Sequence, residues 1–178
     1  MEGARSKGEA MNYRTWEEQV PEEIKADSVW KAKAYRLGLF AADLSWHDAT
    51  RLLGDKRTIS LADQLMRSTG AISADIEEGY SRGTGRDRAR FYEYGLGSAR
   101  EARGWCYKGR HVLGPLVVRH RIQLLTEIIK LLLTMVPDQR SWVVKEDPDP
   151  FPESIEAAQG TLAAPGALDK LLQDVPLR

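Results

Sequence analysis

The sequence predicts an all-α protein, an antiparallel up-down four-helix bundle with extended N- and C-terminal tails. Four long stretches carry apolar residues at steps of three and four, the spacing of a helix packed on one side. Short turns rich in glycine or charge separate them, which favours antiparallel neighbours. A chain of 178 residues with 42% hydrophobic content can bury one core. We therefore expect an N-terminal extension (1–26), the bundle (27–136) and an acidic, proline-rich C-terminal tail (137–178).

The second and third helices form a hairpin about a hinge rich in glycine and arginine, residues 79–86. Ser60, followed by Asp63, predicts the N-cap of the first helix of the hairpin, and Thr84 with Asp87 repeats the pattern for the next. Gly79 is placed to end the first of these helices in a left-handed conformation.

A fold-back centred near residue 84 brings opposite charges together across the hairpin. The predicted contacts are Arg67 with Glu101, Glu78 with Arg90, and Ser98 with Gly70. Partly buried ion pairs of this kind fix helix register more than they add stability. Catalysis by Glu78 and Glu101 as paired carboxylates is disfavoured, because each acid has an arginine to face.

The outer helices follow from the same periodicity. The first begins at Asp27 or Ser28 and runs to about Leu53, and the fourth follows Gly114 and Pro115 and ends at Pro137. Apolar residues on the fourth helix extend well beyond one face, which predicts burial on more than one side and hence subunit association. These additional residues are Leu124, Ile128, Leu131 and Leu133.

Both tails contain one structured candidate. The segment around Trp16 is too short to be a stable helix alone, so we expect it to lie along the bundle with Trp16 covering an apolar seam. Docking of a partner on this segment is the alternative. Residues 167–172 are amphipathic and could dock either on their own bundle or on another protein.

The formal charge of zero hides a division along the chain. The bundle carries a net charge of +6, whereas the N-terminal extension and the C-terminal tail carry −2 and −4. A basic bundle surface indicates phosphate binding that follows charge and shape; the alternative is a solvated helix face. Arg90, paired with Glu78, is the weakest member of the basic set. The predicted nucleic-acid-binding residues are Arg82, Arg86, Arg88, Arg103, Lys108, Arg110, Arg119 and Arg121.

Other chemistry is not indicated, and we expect no enzyme, cofactor or metal. The three histidines (His47, His111 and His120) lack metal-site spacing, and Cys106 is interpreted as a small buried hydrophobe. The hinge lacks the Lys-Ser or Lys-Thr of a nucleotide-binding loop, and there is no helix-turn-helix or zinc-finger spacing. Without an apolar leader or a long apolar run, a soluble cytoplasmic protein is expected.

The hairpin resembles the four-helix-bundle family that includes proteins encoded in intervening sequences of large-subunit ribosomal RNA genes and the accessory variability determinant of diversity-generating retroelements. Family members usually carry Asn-Ile-Ala-Glu-Gly before the hinge, where this chain has Asp75-Ile76-Glu77-Glu78-Gly79. The other residues that carry the resemblance are Leu65, Arg67, Ser68, Ile72, Arg82, Phe91, Tyr94, Gly97, Ser98 and Glu101.

That resemblance implies a ring-like homo-oligomer, most often a pentamer, that binds RNA or an RNA:DNA hybrid and assists a reverse transcriptase. Together with the basic bundle it favours a non-catalytic accessory protein that binds nucleic acid. The alternative is a homo-oligomeric scaffold that presents its acidic tails and the Trp16 segment to a protein partner.

Overall fold

A computed structural model describes residues 12–140 and 166–177, and in these ranges the protein is all-α with no strand. A 3-10 helix spans Ser28–Lys31. The α-helices are α1 (Tyr13–Gln19), α2 (Glu22–Lys25), α3 (Lys33–Leu52), α4 (Ile59–Tyr80), α5 (Gly85–Lys108), α6 (Arg110–Leu113), α7 (Pro115–Arg140) and α8 (Ala167–Gln173).

The four long helices α3, α4, α5 and α7 form the predicted up-down bundle. Each contacts the next along the chain, and α7 closes the circuit against α3. Ser45 of α3 accepts a hydrogen bond from Thr69 of α4 at 2.9 Å, and Arg103 of α5 donates to Thr126 of α7 at 3.1 Å. The core between them is aliphatic, with completely buried residues on all four helices. The predicted fold class is confirmed.

Two of the predicted helix starts are wrong, and two, at Thr84 and at Pro115, are confirmed. Asp27 caps the 3-10 helix through the amide of Val29, and extended backbone at Ala32 separates that turn from α3. Helix α4 begins one residue before Ser60, because the Thr58 hydroxyl donates to the Leu52 carbonyl and closes the preceding turn.

The Thr84 cap is present as predicted. The amide of Asp87 donates to the Thr84 hydroxyl at 3.1 Å, and that hydroxyl donates to the Asp87 carboxylate at 2.7 Å. This reciprocal arrangement satisfies one of the free amides at the start of α5.

The prediction that Gly79 ends α4 in a left-handed conformation is wrong. Gly79 lies inside the helix, and the positive-φ residues of the described chain are Gly114 and Gly166. A Cβ at Gly79 would lie 2.9 Å from the Tyr92 ring, so this glycine permits close approach of α4 and α5. Only a residue without a side chain fits there.

The predicted hairpin contacts are not formed in the described chain. Ser98 donates to Asp75 at 3.1 Å rather than packing on Gly70. The close approaches of Gly79 to Tyr92 and of Gly95 to Ile72, pairs whose numbers sum to 171 and 167, nevertheless keep the hairpin within a few residues of the predicted register. The charged residues bind neighbours on their own helices instead, as expected for residues three or four apart. Arg67 binds Gln64, Glu78 binds Arg82, Arg90 binds Tyr94, and Glu101 accepts from Trp105.

The wide apolar surface of α7 is covered within a single chain. Leu124 and Ile128 are fully buried, and Leu131 and Leu133 are partly buried against the same core. This removes the basis on which the α7 sequence predicted subunit association. The helix also continues through Pro137 to Arg140, because Gln139 packs on Gly85 and accepts a hydrogen bond from Arg88.

Both short terminal helices dock on the bundle. Trp16 is buried, with its ring centroid 5.2 Å from that of Phe40 and its indole N–H donating to Asp43. The prediction that Trp16 covers an apolar seam is confirmed. Helix α8 packs on α1 and α7, and Val175 beyond it is buried, so residues 167–172 dock on their own bundle. The intervening proline-rich stretch lies outside the described residues.

Gly114 provides a test of the junction between α6 and α7. Its φ of 83° and ψ of 162° lie in a region that is essentially restricted to glycine. We expect Gly114→Ala to lower the free energy of unfolding by roughly 1–3 kcal/mol, measured by urea denaturation.

Gly70→Ala is the matched control for this substitution. Gly70 lies inside α4, and a Cβ there would have no atom within 4 Å. Helix propensity then predicts that this variant gains up to about 1 kcal/mol. Equal effects from the two substitutions would contradict the conformational argument.

Candidate nucleic-acid interface

The predicted basic residues lie at opposite ends of the bundle. Arg86 and Arg88 are in the first turn of α5, whereas Lys108 is its last residue. At about 1.5 Å per residue, the 20 residues between Arg88 and Lys108 span about 30 Å. The structure therefore divides the predicted patch into a hinge cluster (Arg82, Arg86, Arg88 and Arg90) and a second cluster beside α6.

Two of the four arginines in the hinge cluster hold the hinge together. Arg82 pairs with Glu78, and its guanidinium lies 4.4 Å from the centroid of the Phe91 ring. Arg88 donates to Gln139 and to the Arg82 carbonyl, each at 3.0 Å. Arg86 is exposed. Two of these cations thus serve to join α4, α5 and α7.

Arg121 is buried in the bundle core. The prediction that it contacts nucleic acid is therefore wrong. Its side chain is 4% exposed and forms a two-bond ion pair with Asp48 of α3, at 2.8 and 3.0 Å. Because Asp48 is 2% exposed, both charges are sheltered from water. Arg121 lies three residues after Val118 and four before Leu125, so it is on the buried side of α7 with these apolar residues.

A buried polar chain continues from this ion pair to α8. Arg121 donates to His120 Nδ1 at 3.0 Å, so His120 carries its proton on Nε2 and donates to the Leu171 carbonyl at 2.8 Å. Burial, followed by the neighbouring charge of Arg121, lowers the pKa of His120 to about 4. The imidazole is therefore neutral at physiological pH, and its hydrogen bond to Leu171 joins α8 to the bundle.

Helix α6 is positioned by contacts at both of its ends. Arg51, from the last turn of α3, donates to the Val112 carbonyl at 2.8 Å, and Leu113 is fully buried. Gly109 packs against Leu52 so closely that a Cβ would lie 3.1 Å from that side chain. These contacts hold α6 across the end of the bundle, between the last turn of α5 and the first turn of α7.

This arrangement gathers cations and aromatic rings, which we call the α6 surface: Tyr107, Lys108, Arg110, His111 and Arg119. Tyr107 is 55% exposed, and the Arg110 guanidinium lies 4.4 Å from its ring centroid. Lys108 lies 3.8 Å from the centroid of the Trp105 ring. A shallow concavity of about 470 Å³ opens between Tyr107, Arg110, His111 and Arg119, with Val118 and Ile122 in its floor.

The sequence indicated the cations of this surface but not its exposed aromatic ring, Tyr107. Trp105 and Tyr107 alternate with basic residues along the end of α5, a pattern common in nucleic-acid-binding segments. Arg103, one turn earlier, is half-buried and donates to Thr126, so it joins α5 to α7.

No metal-binding cluster accompanies this surface in the described ranges. No group of three or more histidine, cysteine or acidic side chains there could hold a metal ion. Cys106 is buried as predicted, and burial raises its pKa to about 12, so it is an unreactive thiol. Within residues 12–140 and 166–177, no helix has the length and apolar character needed to cross a membrane.

Comparison with protein families matches residues 33–135 to a model described as 23S rRNA-intervening sequence protein. The chain belongs to this family. The match runs from the start of α3 into the last part of α7, so it covers the whole bundle and excludes both terminal segments. The family description names no enzymatic activity.

A solved structure shares the fold. It is a protein of unknown function from the S23 ribosomal protein family of Bacteroides thetaiotaomicron, with a TM-score of 0.55 and 20% sequence identity. The alignment covers 58% of this chain and 97% of that protein. Comparison with curated proteins gave no match. These findings support the ribosomal-RNA branch of the predicted resemblance and do not bear on its retroelement branch.

Substituting Arg121 and Arg119 in turn compares the contribution of a buried arginine to stability with that of an exposed one. Arg121→Met leaves Asp48 buried without a partner, so we expect a loss of about 3–5 kcal/mol in the free energy of unfolding. Arg119 is exposed, and Arg119→Met should change stability by less than about 0.5 kcal/mol. Urea denaturation of both variants measures these changes. An Arg121→Met variant with nearly unchanged free energy of unfolding would contradict the role of the buried ion pair.

The His120 network predicts acid sensitivity. His120 titrates near pH 4 in the folded protein and near 6.5 when unfolded, so the native state binds fewer protons. Stability contributed by the neutral imidazole is complete above pH 6.5 and is lost as pH falls towards 4. Between pH 7.5 and 5 the loss should be roughly 2 kcal/mol.

His120→Gln should remove this part of the pH dependence, whereas His111→Gln, at an exposed position, should keep it. Denaturant titrations of the three proteins at pH 7.5 and 5 provide the measurement. A His120→Gln variant with unchanged pH dependence would show that other groups cause the acid sensitivity.

Proposed function

We propose that this protein is a non-catalytic, oligomeric nucleic-acid-binding protein, and that its α6 surface holds the phosphates of RNA or of an RNA:DNA hybrid. The observation that carries the proposal is the grouping of exposed cations around an exposed aromatic ring at one end of the bundle. Lys108 and Arg110 lie against aromatic rings, and Arg119 lines the same concavity as Arg110.

The charges of the α6 surface are available to a ligand. Within the described ranges, none of Lys108, Arg110 and Arg119 forms an ion pair with an acidic side chain within 4 Å. In the hinge cluster, by contrast, Arg82 already has a carboxylate and Arg88 holds two oxygens. A phosphate would therefore displace fewer existing contacts at the α6 surface than at the hinge.

Self-association would multiply this surface. Large apolar side chains remain exposed at the same end of the bundle, including Leu53, Ile59 and Leu116, and Trp46 is exposed further along α3. We propose that such residues contribute to contacts between copies in a ring, for which the family resemblance suggests five subunits. Several copies of one basic surface would then bind a single nucleic acid with higher avidity than one copy.

We also propose a reverse transcriptase as the protein partner. This part of the proposal rests only on the family resemblance. Base-specific readout is not part of the proposal, since the chain has no motif that places a helix or sheet against base edges. Binding should therefore follow charge and shape, with a strong dependence on salt.

The test is fluorescence anisotropy of a structured RNA over a series of salt concentrations. Replacing Lys108, Arg110 and Arg119 together by glutamine should weaken binding and reduce the salt slope by about 0.7–0.9 for each lost phosphate contact. A control variant with Lys31, Lys33 and Arg67 changed to glutamine removes the same charge from exposed positions elsewhere, and it should bind nearly as the wild type does.

A third variant, with Arg82, Arg86 and Arg88 changed to glutamine, tests the hinge cluster as the rival site. Loss of binding in this variant but not in the α6-surface variant would move the site to the hinge. An oligomer that binds no nucleic acid at low salt would overturn the proposal and favour the protein scaffold.

A further inference from the structure

We infer that the α6 surface takes an unpaired nucleotide of a single strand, with its base against the Tyr107 ring and its phosphates at Arg110 and Arg119. This inference rests on the proposed function and specifies its ligand. It follows from the combination of an apolar floor, an exposed ring and a cationic rim within one concavity.

The floor is suited to the face of a base rather than to a phosphate. It is formed by Val118 and Ile122 of α7, with Pro115 and the Tyr107 ring at its sides. Its volume of about 470 Å³ lies within the range of small-molecule sites, roughly 300–1,000 Å³. Aromatic rings accept any base, because every base has a π face.

The rim supplies the charge that a nucleotide needs. The Arg110 guanidinium is stacked on Tyr107 and donates to its carbonyl at 3.1 Å, so it is fixed in place beside the ring. Arg119 is exposed and lines the concavity from the first turns of α7. Phosphates on either side of a stacked base could therefore reach one arginine each.

A duplex, including an RNA:DNA hybrid, would use only the cations of this combination. Its bases are already stacked on one another, and its outer surface presents phosphates and groove edges rather than base faces. A duplex would use the cations and leave the Tyr107 ring without a ligand. An acidic peptide would likewise pair with the arginines and gain little from the flat ring, so a single strand matches the most features of the site.

The experiment compares a 12-nucleotide oligouridine RNA with a 12-base-pair RNA duplex by anisotropy, using the full chain. Wild type should bind the single strand more tightly than the duplex. Tyr107→Ala should weaken single-strand binding by about 5- to 150-fold, the range of one base-aromatic stack, and should leave duplex binding and its salt slope unchanged. Tyr107→Phe should retain binding, because the ring and not the hydroxyl carries the contact.

Tyr94→Ala is the matched control, since Tyr94 is an exposed ring on the same helix far from α6. Each variant is checked for unchanged thermal unfolding. Equal losses for single strand and duplex in Tyr107→Ala, or no loss for either, would overturn the inference while leaving phosphate binding intact. A wild type that binds neither RNA would overturn both the proposed function and this inference.

Discussion

The buried ion pair between Asp48 and Arg121 determines how the end of the bundle is arranged. Successive helical residues are about 100° apart, so drawing Arg121 into the core turns Arg119 towards the opposite side of α7. Arg119 is accordingly exposed on the α6 surface, and His120 faces α8. Buried pairs of this kind add little net stability, but they exclude other rotations of the helix that would leave a charge unpaired.

Helix α6 joins the ends of α5 and α7 into the α6 surface and is held in place by the end of α3. The last turn of α3 holds it through Arg51, the last turn of α5 supplies Tyr107 and Lys108, and the first turns of α7 supply Arg119. The chain folds back at α6, so that side chains from the end of α5 and the start of α7 line one concavity. In the hinge cluster the arginines mainly bind protein groups, so a high local density of charge does not by itself identify a binding site.

Sequence periodicity was sufficient to predict the bundle, its four helices and the Thr84 cap, because these depend on local spacing. It could not predict the contacts between charged side chains, since Arg67, Glu78, Arg90 and Glu101 all find partners three or four residues away in sequence. It also did not separate Arg119 from Arg121. Arg121 lies on the apolar stripe of α7, three residues after Val118 and four before Leu125, but its charge is buried there only because Asp48 on another helix pairs with it.

The most direct test of the central claim is photocrosslinking of the protein to an RNA that contains 4-thiouridine, followed by mass spectrometric mapping of the crosslinked peptides. If the α6 surface binds nucleic acid, crosslinks should concentrate in residues 105–119 and decline with increasing salt. They should also decline when Arg110 and Arg119 are replaced by glutamine. Crosslinks concentrated in the hinge, residues 80–94, or unchanged by these substitutions, would contradict the assignment of the site.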